Sequence, residues 1–165
     1  MMNVLQAIES SSFSQWVRES ESLFAFAGIL LVHTIGMGFV VGVNATIDLR
    51  ILGFAPALRL SSLEKFFPIL WLGFWLNAVT GTMLLAAAAT TMLTNPDFYV
   101  KMVFIALAVV NLKMMRTRVF RDPMIDKVPP SKMAKILAIA SLIFWLGAIT
   151  SGRLLAYVGS TNGVK

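Results

Sequence analysis

Four apolar stretches, each long enough to cross a bilayer, take up most of this chain of 165 residues. They cover residues 23–43, 66–92, 98–115 and 133–157. The hydrocarbon core of a bilayer is about 30 Å thick, and a helix that rises about 1.5 Å per residue needs about 20 apolar residues to span it. The sequence therefore predicts an all-α integral membrane protein, an antiparallel bundle of four transmembrane helices.

The composition supports a membrane bundle over a water-soluble domain. Hydrophobic residues make up 58% of the chain and charged residues 13%, and the mean hydropathy is +0.79; these values lie outside the usual globular range. Cysteine is absent, which excludes disulfides, thiolate metal sites and cysteine nucleophiles. We predict one bundle over residues 23–157, preceded by a leader of residues 1–22 and followed by a tail of residues 158–165.

The leader has the pattern of a short amphipathic helix. Ser12 and Gln15 are spaced as a capping box, and Phe13, Trp16 and Val17 share one face of the helix that would follow. Such a helix would bury this face in the membrane interface and keep its charged residues in water. The alternative is that these residues are an early start of the first span.

The positive charge is concentrated on one side of the predicted bundle. Ten of the 14 Lys and Arg residues flank the first and third connections. These ten are Arg50, Arg59, Lys65, Lys113, Arg116, Arg118, Arg121, Lys127, Lys132 and Lys135. Short loops rich in Lys and Arg stay in the cytoplasm, so both termini are expected on the other side. The basic loop 113–135 also suits anionic lipid head groups, whereas nucleic-acid binding is not expected without a soluble module of stacking aromatics.

His33, the only histidine, is the polar residue that most invites a functional interpretation. It lies about ten residues into the first predicted span, near the membrane midplane, and ionisable groups there usually face the bundle interior. A neutral imidazole hydrogen-bonded to Asn77 would satisfy both side chains without any ligand. The alternative is a b-type haem whose iron is bound by His33, with Asn77 and Met37 beside it.

A haem bound by His33 would leave the other axial position of its iron to be filled by a second ligand. One histidine per chain cannot form a pair within the chain, so the second ligand would be His33 of another copy or a methionine. The methionine candidates are Met37, Met83 and Met102. An open axial position is the remaining alternative.

Charged residues near the span ends are expected to pair with one another. Arg153 could meet Glu19 or Glu21 at one side, and Asp48 could meet Lys113 or Arg50 at the other. The predicted span interiors contain no Asp or Glu, which disfavours a proton pump and leaves no acid for a Ser/His/Asp catalytic set around the histidine. We therefore do not expect an enzyme that acts alone.

Small residues recur every four positions within the spans, the spacing that lets membrane helices approach closely. The pattern comprises Gly38 and Gly42, then Gly73, Asn77 and Gly81, and finally Ala148 and Gly152. We expect these residues to form helix contacts, mainly within the bundle. The same motif also serves homo-oligomers and larger assemblies.

Several motifs spread along the chain resemble a family of uncharacterised bacterial four-helix inner-membrane proteins. They are Val17-Arg18-Glu19-Ser20, His33, Asp48-Leu49-Arg50-Ile51-Leu52-Gly53, Trp71-Leu72-Gly73-Phe74, Thr80-Gly81, Lys101, Asn111 and Ser151-Gly152-Arg153-Leu154-Leu155-Ala156-Tyr157. The resemblance implies a four-helix fold in the bacterial inner membrane, and the family carries no established activity to transfer. Together with the distribution of cations, this predicts that both termini lie in the periplasm. Members carry another histidine shortly after the residue matching Asn111, which is absent here, so no two-histidine site is implied.

The sequence favours a non-catalytic inner-membrane protein that is a subunit or packing partner of a larger assembly. The alternatives are a haem-b or quinone-linked electron-transfer protein that uses His33 and a small metal or solute permease. A permease would use a polar stripe of His33, Asn44, Asn77 and Asn111 as its path.

Overall fold

The computed structural model describes residues 2–161 and is helical throughout, with no strand in that range. The chain begins with two short helices, α1 (Met2–Glu9) and α2 (Ser12–Glu19). The long helices are α3 (Phe26–Leu52), α4 (Phe67–Ala87), α6 (Pro96–Met115) and α7 (Lys132–Thr161), with the short α5 (Ala89–Thr94) between α4 and α6. Residues 162–165 of the predicted tail lie outside the described residues.

Four helical segments are long and apolar enough to cross a membrane, which confirms the all-α fold and a multi-pass membrane protein. They cover Phe26–Leu52, Leu60–Ala87, Pro96–Phe120 and Lys132–Leu155. The second includes a 3₁₀ turn (Leu60–Phe66) before α4, and the third includes a π turn (Arg116–Phe120) after α6. The bounds differ most for the first span, which continues to Leu52 instead of ending at residue 43.

The ends of the helices follow from local sequence. Gly53 has a φ of 109° and ends α3 with its amide bonded to the carbonyls of Leu49 and Arg50, a left-handed position that suits glycine. Asn95 caps α6 by accepting a hydrogen bond from the Asp97 amide at 2.9 Å, with Pro96 at the first helical position, as such residues commonly do.

The four long helices pack in the order α4, α3, α7, α6. Helix α3 contacts α4 and α7, and α7 contacts α6. Within the described residues, α4 and α6 do not pack closely against each other, so a groove remains between them. We call the end that carries α1, α2 and α5 the leader end, and the opposite end, with loops 53–66 and 116–131, the basic end.

Glycines set the close approach of α3 and α4. A Cβ on Gly36 would lie 2.9 Å from the carbonyl oxygen of Gly73, and one on Gly73 would lie 2.7 Å from Cβ of Phe39. Gly38 and Gly42 have no atom within 4 Å of such a position. The predicted glycine pair of α3 therefore makes no contact inside the chain, because Gly36, two residues away, is on the packed face instead.

The basic end contains the largest apolar cluster. It joins α3, α4, α6 and α7 through Ile51, Leu70, Met115 and Ala138, with an edge-to-face contact between Phe67 and Phe120. Above it, Asp126 links the two loops: it accepts from the Ser61 amide at 3.2 Å and lies 3.7 Å from Nε of Arg59. Hydrogen bonds from Ser61, chiefly its hydroxyl, lower the pKa of Asp126 below its usual value.

The leader forms two helices that dock on the end of α4. Ser11, rather than Ser12, caps α2. Val17 and Ser14 are buried, and Val17 packs with Ile29 and Ala87. Residues 20–25 are not helical, so the leader is separate from the first span and is not its early start.

Candidate functional site

Two adjoining cavities form one groove between α4 and α6, with α3 and α7 behind it. The space inside them is about 40 Å³ in the smaller and 230 Å³ in the larger, so a ligand of more than about 300 Å³ would need the open side of the groove to widen. Five residues line both: His33, Phe74, Asn77, Lys101 and Ile105.

The imidazole of His33 is held in one orientation by α4. Its Nδ1 lies 3.0 Å from Oγ1 of Thr80, and that hydroxyl donates its only proton to a backbone carbonyl, Leu76 O at 2.6 Å. In the tautomer that fits this arrangement, Nδ1 carries the hydrogen and donates to Thr80. The other nitrogen, Nε2, keeps its lone pair and makes no hydrogen bond with any residue that the structure describes.

The side chain of Asn77 lies beside His33 but does not bind its ring. Its Nδ2 donates to the backbone carbonyl of His33 at 2.8 Å, so the expected imidazole–Asn77 bond is replaced by the bond to Thr80. Gly81 makes room for the ring, since a Cβ there would lie 3.1 Å from Cε1 of His33. The three α4 residues therefore position the imidazole from one side.

Lys101 brings a positive charge into the same groove. It is the sixth residue of α6, and its chain extends towards α7, where a Cβ on Gly152 would lie 3.7 Å from Nζ. No carboxylate among the described residues pairs with this ammonium group. In the sequence, Lys101 is one of the four cations outside the basic loops and one of the residues that carry the family resemblance. Its place five residues after the helix-opening Pro96, within an apolar span, was the signal for a role in the groove.

The predicted methionine ligands divide into two groups. Met37 lines the smaller cavity and Met102 the larger one, both together with His33. Met83 instead packs against the leader cluster around Val17. The structure therefore brings His33, Met37 and Asn77 together, as the sequence suggested, and leaves Met83 out.

A second group of polar residues lies deeper in the bundle, towards the basic end. Asn44, Asp48, Asn111 and Ser141 are all buried. Nδ2 of Asn111 donates to the carbonyl of Leu137 at 3.0 Å and links α6 to α7. Asn44 and Asn111 line neither cavity of the groove, which is bounded on this side by Val40 and Trp145. The four-residue stripe required by a permease is therefore interrupted.

The expected ion pairs at the span ends do not form among the described residues. Asp48 is fully buried inside α3, whereas Arg50 turns towards the following loop and donates to the carbonyls of Leu58 and Pro56. Lys113 does not reach Asp48. Helix α3 continues past residue 43 to Leu52. Asp48 therefore lies on the face of α3 that packs against other helices and does not reach the membrane surface, where the cations lie.

At the leader end, Arg153 pairs with neither Glu19 nor Glu21 within the described part of the chain. The arginine that pairs with Glu19 is Arg18, whose guanidinium nitrogen lies 4.0 Å from a carboxylate oxygen of Glu19. The same guanidinium donates to the carbonyl of Ala87 at 2.9 Å.

Within residues 2–161, no three His, Asp or Glu side chains come together as a metal site. Any metal held by the groove would thus depend on His33 with ligands from a cofactor, a methionine or another chain. No family model, curated protein or solved structure matches this chain. The resemblance to four-helix inner-membrane proteins therefore stays a prediction.

Proposed function

We propose that this is a bacterial inner-membrane protein, with both termini in the periplasm, that binds a b-type haem in the groove between α4 and α6 and acts in electron transfer. One observation carries the proposal: an oriented imidazole with a free Nε2 lines a groove that also holds an unpaired lysine. An imidazole nitrogen is a common iron ligand, and a metal-binding histidine typically donates its other ring N–H to a neighbouring hydrogen-bond acceptor.

The residues that line the rest of the groove suit the polarity and charge of this ligand. Phe74, Phe98 and Ile105 provide apolar walls for a macrocycle. The ammonium of Lys101 offers a partner for a propionate, the group that would otherwise be an uncompensated negative charge in lipid. Met37 and Met102, which each line the groove with His33, would be the candidates for a second iron ligand.

The distribution of cations supports the orientation in the membrane. The basic end, with most of the Lys and Arg residues, would face the cytoplasm, and its loop 113–135 would contact anionic lipid head groups. His33 is the eighth residue of α3, about 10 Å along the helix axis. The groove would therefore lie in the periplasmic half of the bilayer.

The absorption spectrum of the protein purified after haem-replete expression tests this function. We expect a Soret band that shifts on reduction with dithionite and is lost in His33→Ala. Lys101→Met should retain a band but lose much of the bound haem, because it removes only the propionate partner.

Thr34→Ala is the matched control for His33→Ala. Thr34 follows His33 on α3, is exposed, and bonds only to the carbonyl of Leu30 in its own helix. It should keep the full spectrum. Wild-type protein without a Soret band, or a band that survives in His33→Ala, would reject the haem at this site, and a quinone or fatty acid extracted from the groove would replace it as the ligand.

We propose, as a second role, that the protein is a subunit or packing partner in a larger membrane assembly. The observation that favours this is the glycine pair Gly38 and Gly42, which faces outward with nothing packed on it. Exposed small residues at this spacing are a typical surface for another membrane helix.

Cysteine cross-linking in native membranes tests this packing surface, since the chain has no cysteine of its own. Gly42→Cys should form a disulfide-linked product with a second copy or with a cysteine-bearing partner on mild oxidation. Leu72→Cys, on the exposed side of α4, is the control and should remain uncross-linked. Equal cross-linking of both variants would indicate random collision and contradict a specific interface.

A further inference from the structure

Four buried side-chain atoms in the core of the bundle have no hydrogen-bond partner among the described residues. They are both carboxylate oxygens of Asp48, Oδ1 of Asn44 and Nε1 of Trp145. Three of these are acceptors and one is a donor. Buried polar groups are nearly always paired, so this excess of acceptors calls for a missing donor.

Asp48 is at the centre of the mismatch. Its side chain has no exposed surface, and Asn44 lies one turn before it on the same face of α3. Ser141 of α7 faces the carboxylate without reaching the geometry of a hydrogen bond. Of the elements packed on α3, which are α4, α7 and the 3₁₀ turn, none places a charged group against Asp48 in the described residues.

An ionised Asp48 would be a charge without a partner in the buried interior of the bundle, which is a very unfavourable state. A proton on the carboxyl removes that charge and converts one of the three acceptors into a donor. Oδ1 of Asn44 then provides a free acceptor, because the amide of the same side chain already donates to the carbonyl of Val40 at 3.1 Å. A proton therefore pairs one oxygen of Asp48 with Oδ1 of Asn44 and leaves the second carboxyl oxygen to the hydroxyl of Ser141, which faces it.

A metal ion fits this position less well than a proton. Hard cations take about six oxygen ligands in a cavity of their own, whereas Asp48 lines neither cavity of the groove and is fully enclosed. A proton needs no cavity. A proton and a metal ion would both be cations held by buried oxygen atoms, so the experiment must distinguish a proton from a metal ion.

We propose that Asp48 and Asn44 form a proton-binding site within the membrane-spanning core, in which the neutral carboxyl of Asp48 donates its hydrogen to Oδ1 of Asn44. The proton is taken from water and returned to water, so no other reactant takes part. Ile47, Ile51 and Met115 form an apolar layer towards the basic end. Exchange of the proton therefore requires this layer to open and is slow.

Infrared spectroscopy of the full-length protein in lipid nanodiscs at neutral pH tests the site. The wild type should show the carbonyl-stretch band of a protonated carboxylic acid, which shifts slowly after transfer to D₂O. Asp48→Asn should lose the band. Asp126→Asn, which removes an acid in the basic loop, should keep it.

Asn44→Leu provides a second test in which the carboxyl is retained. Without its acceptor, the band should remain and move to higher frequency. If neither variant accumulates, the wild-type spectrum decides alone, because a carboxylic-acid band at neutral pH that exchanges slowly supports the site and the absence of such a band overturns it.

The thermal unfolding of the same proteins separates a proton from a metal ion. Because the folded state holds a proton that the unfolded chain releases at neutral pH, wild-type stability should fall as the pH rises, and Asp48→Asn should flatten that dependence. Stabilisation of the wild type by Na⁺ that is lost in Asp48→Asn would overturn the proton assignment in favour of a metal cation.

Discussion

Gly73→Ala is expected to destabilise the protein, with a decrease in the free energy of unfolding of up to about 2 kcal/mol. The added methyl would lie 2.7 Å from Cβ of Phe39 and 2.8 Å from the carbonyl oxygen of Gly36. Overpacking a core usually costs about 1–3 kcal/mol, and the better helix propensity of alanine offsets only about 1 kcal/mol. Neither contact is the mobile end of a long side chain, so α3 and α4 must move apart.

The same displacement should disturb the groove. Asn77 lies one turn after Gly73 and donates to the backbone of His33, so separation of the two helices weakens this bond and the positioning of the imidazole. Gly73→Leu should therefore show a larger loss of stability and also a loss of ligand binding.

Gly38→Ala and Gly42→Ala are the matched controls in the same pair of helices. A methyl at either position meets nothing within 4 Å, so these variants should be unchanged or more stable by up to about 1 kcal/mol. Thermal unfolding of the chain in dilute detergent, where it is measured without a partner, provides the comparison. Equal stability of Gly73→Ala and Gly38→Ala would mean that the close helix contact at Gly36 and Gly73 is not present.

The number of membrane-spanning helices and the all-α class could be predicted, because apolar length alone decides whether a segment can span lipid. The end of the first span could not. Asn44 and Asp48 lower the local hydropathy and suggest an exit from the membrane, yet both are buried among Ile47 and Ile51 on the packed side of α3. Hydropathy averages over all faces of a helix, so it does not register polar residues that turn inward.

The glycine contacts show a similar limit. Spacing of four residues identified Gly38 and Gly42 as a candidate face, but only the rotation of α3 about its axis decides which small residues meet α4. The structure turns Gly36 inward. A sequence pattern gives the interval of a contact face and not the direction in which that face points.

The groove was predicted in part. His33, Met37 and Asn77 share it because they fall on facing surfaces at a similar depth. The bond from the ring to Thr80 and the place of Lys101 depend on the α4–α6 gap, which arises from the packing order of the helices. Packing order is a tertiary property, and four spans of similar length and polarity leave it open.

The attachment of the leader depends on Arg18, and Arg18→Met is expected to release α2 from the end of α4. The last carbonyls of a helix lack partners within it, and the guanidinium of Arg18 supplies one to Ala87 at 2.9 Å. Hydrogen bonds to charged groups contribute about 1.5–3 kcal/mol. We expect the lower part of this range because 38% of the side chain is exposed, so its charge is partly screened.

Hydrogen–deuterium exchange of the α2 amides and of residues 86–95 measures this release. Both regions should exchange faster in Arg18→Met. Adding Ser14→Ala should increase the effect, since the Ser14 hydroxyl lies 2.8 Å from the carbonyl oxygen of Ile8 and 3.1 Å from that of Ala86 and joins the leader to the end of α4. Arg153→Met removes another arginine near the leader end and should leave exchange unchanged. Equal release of the leader by Arg153→Met and Arg18→Met would contradict this attachment. Arg153 would then hold the leader through Glu19 or Glu21, as the sequence suggested, and the bond from Arg18 to the carbonyl of Ala87 would contribute little.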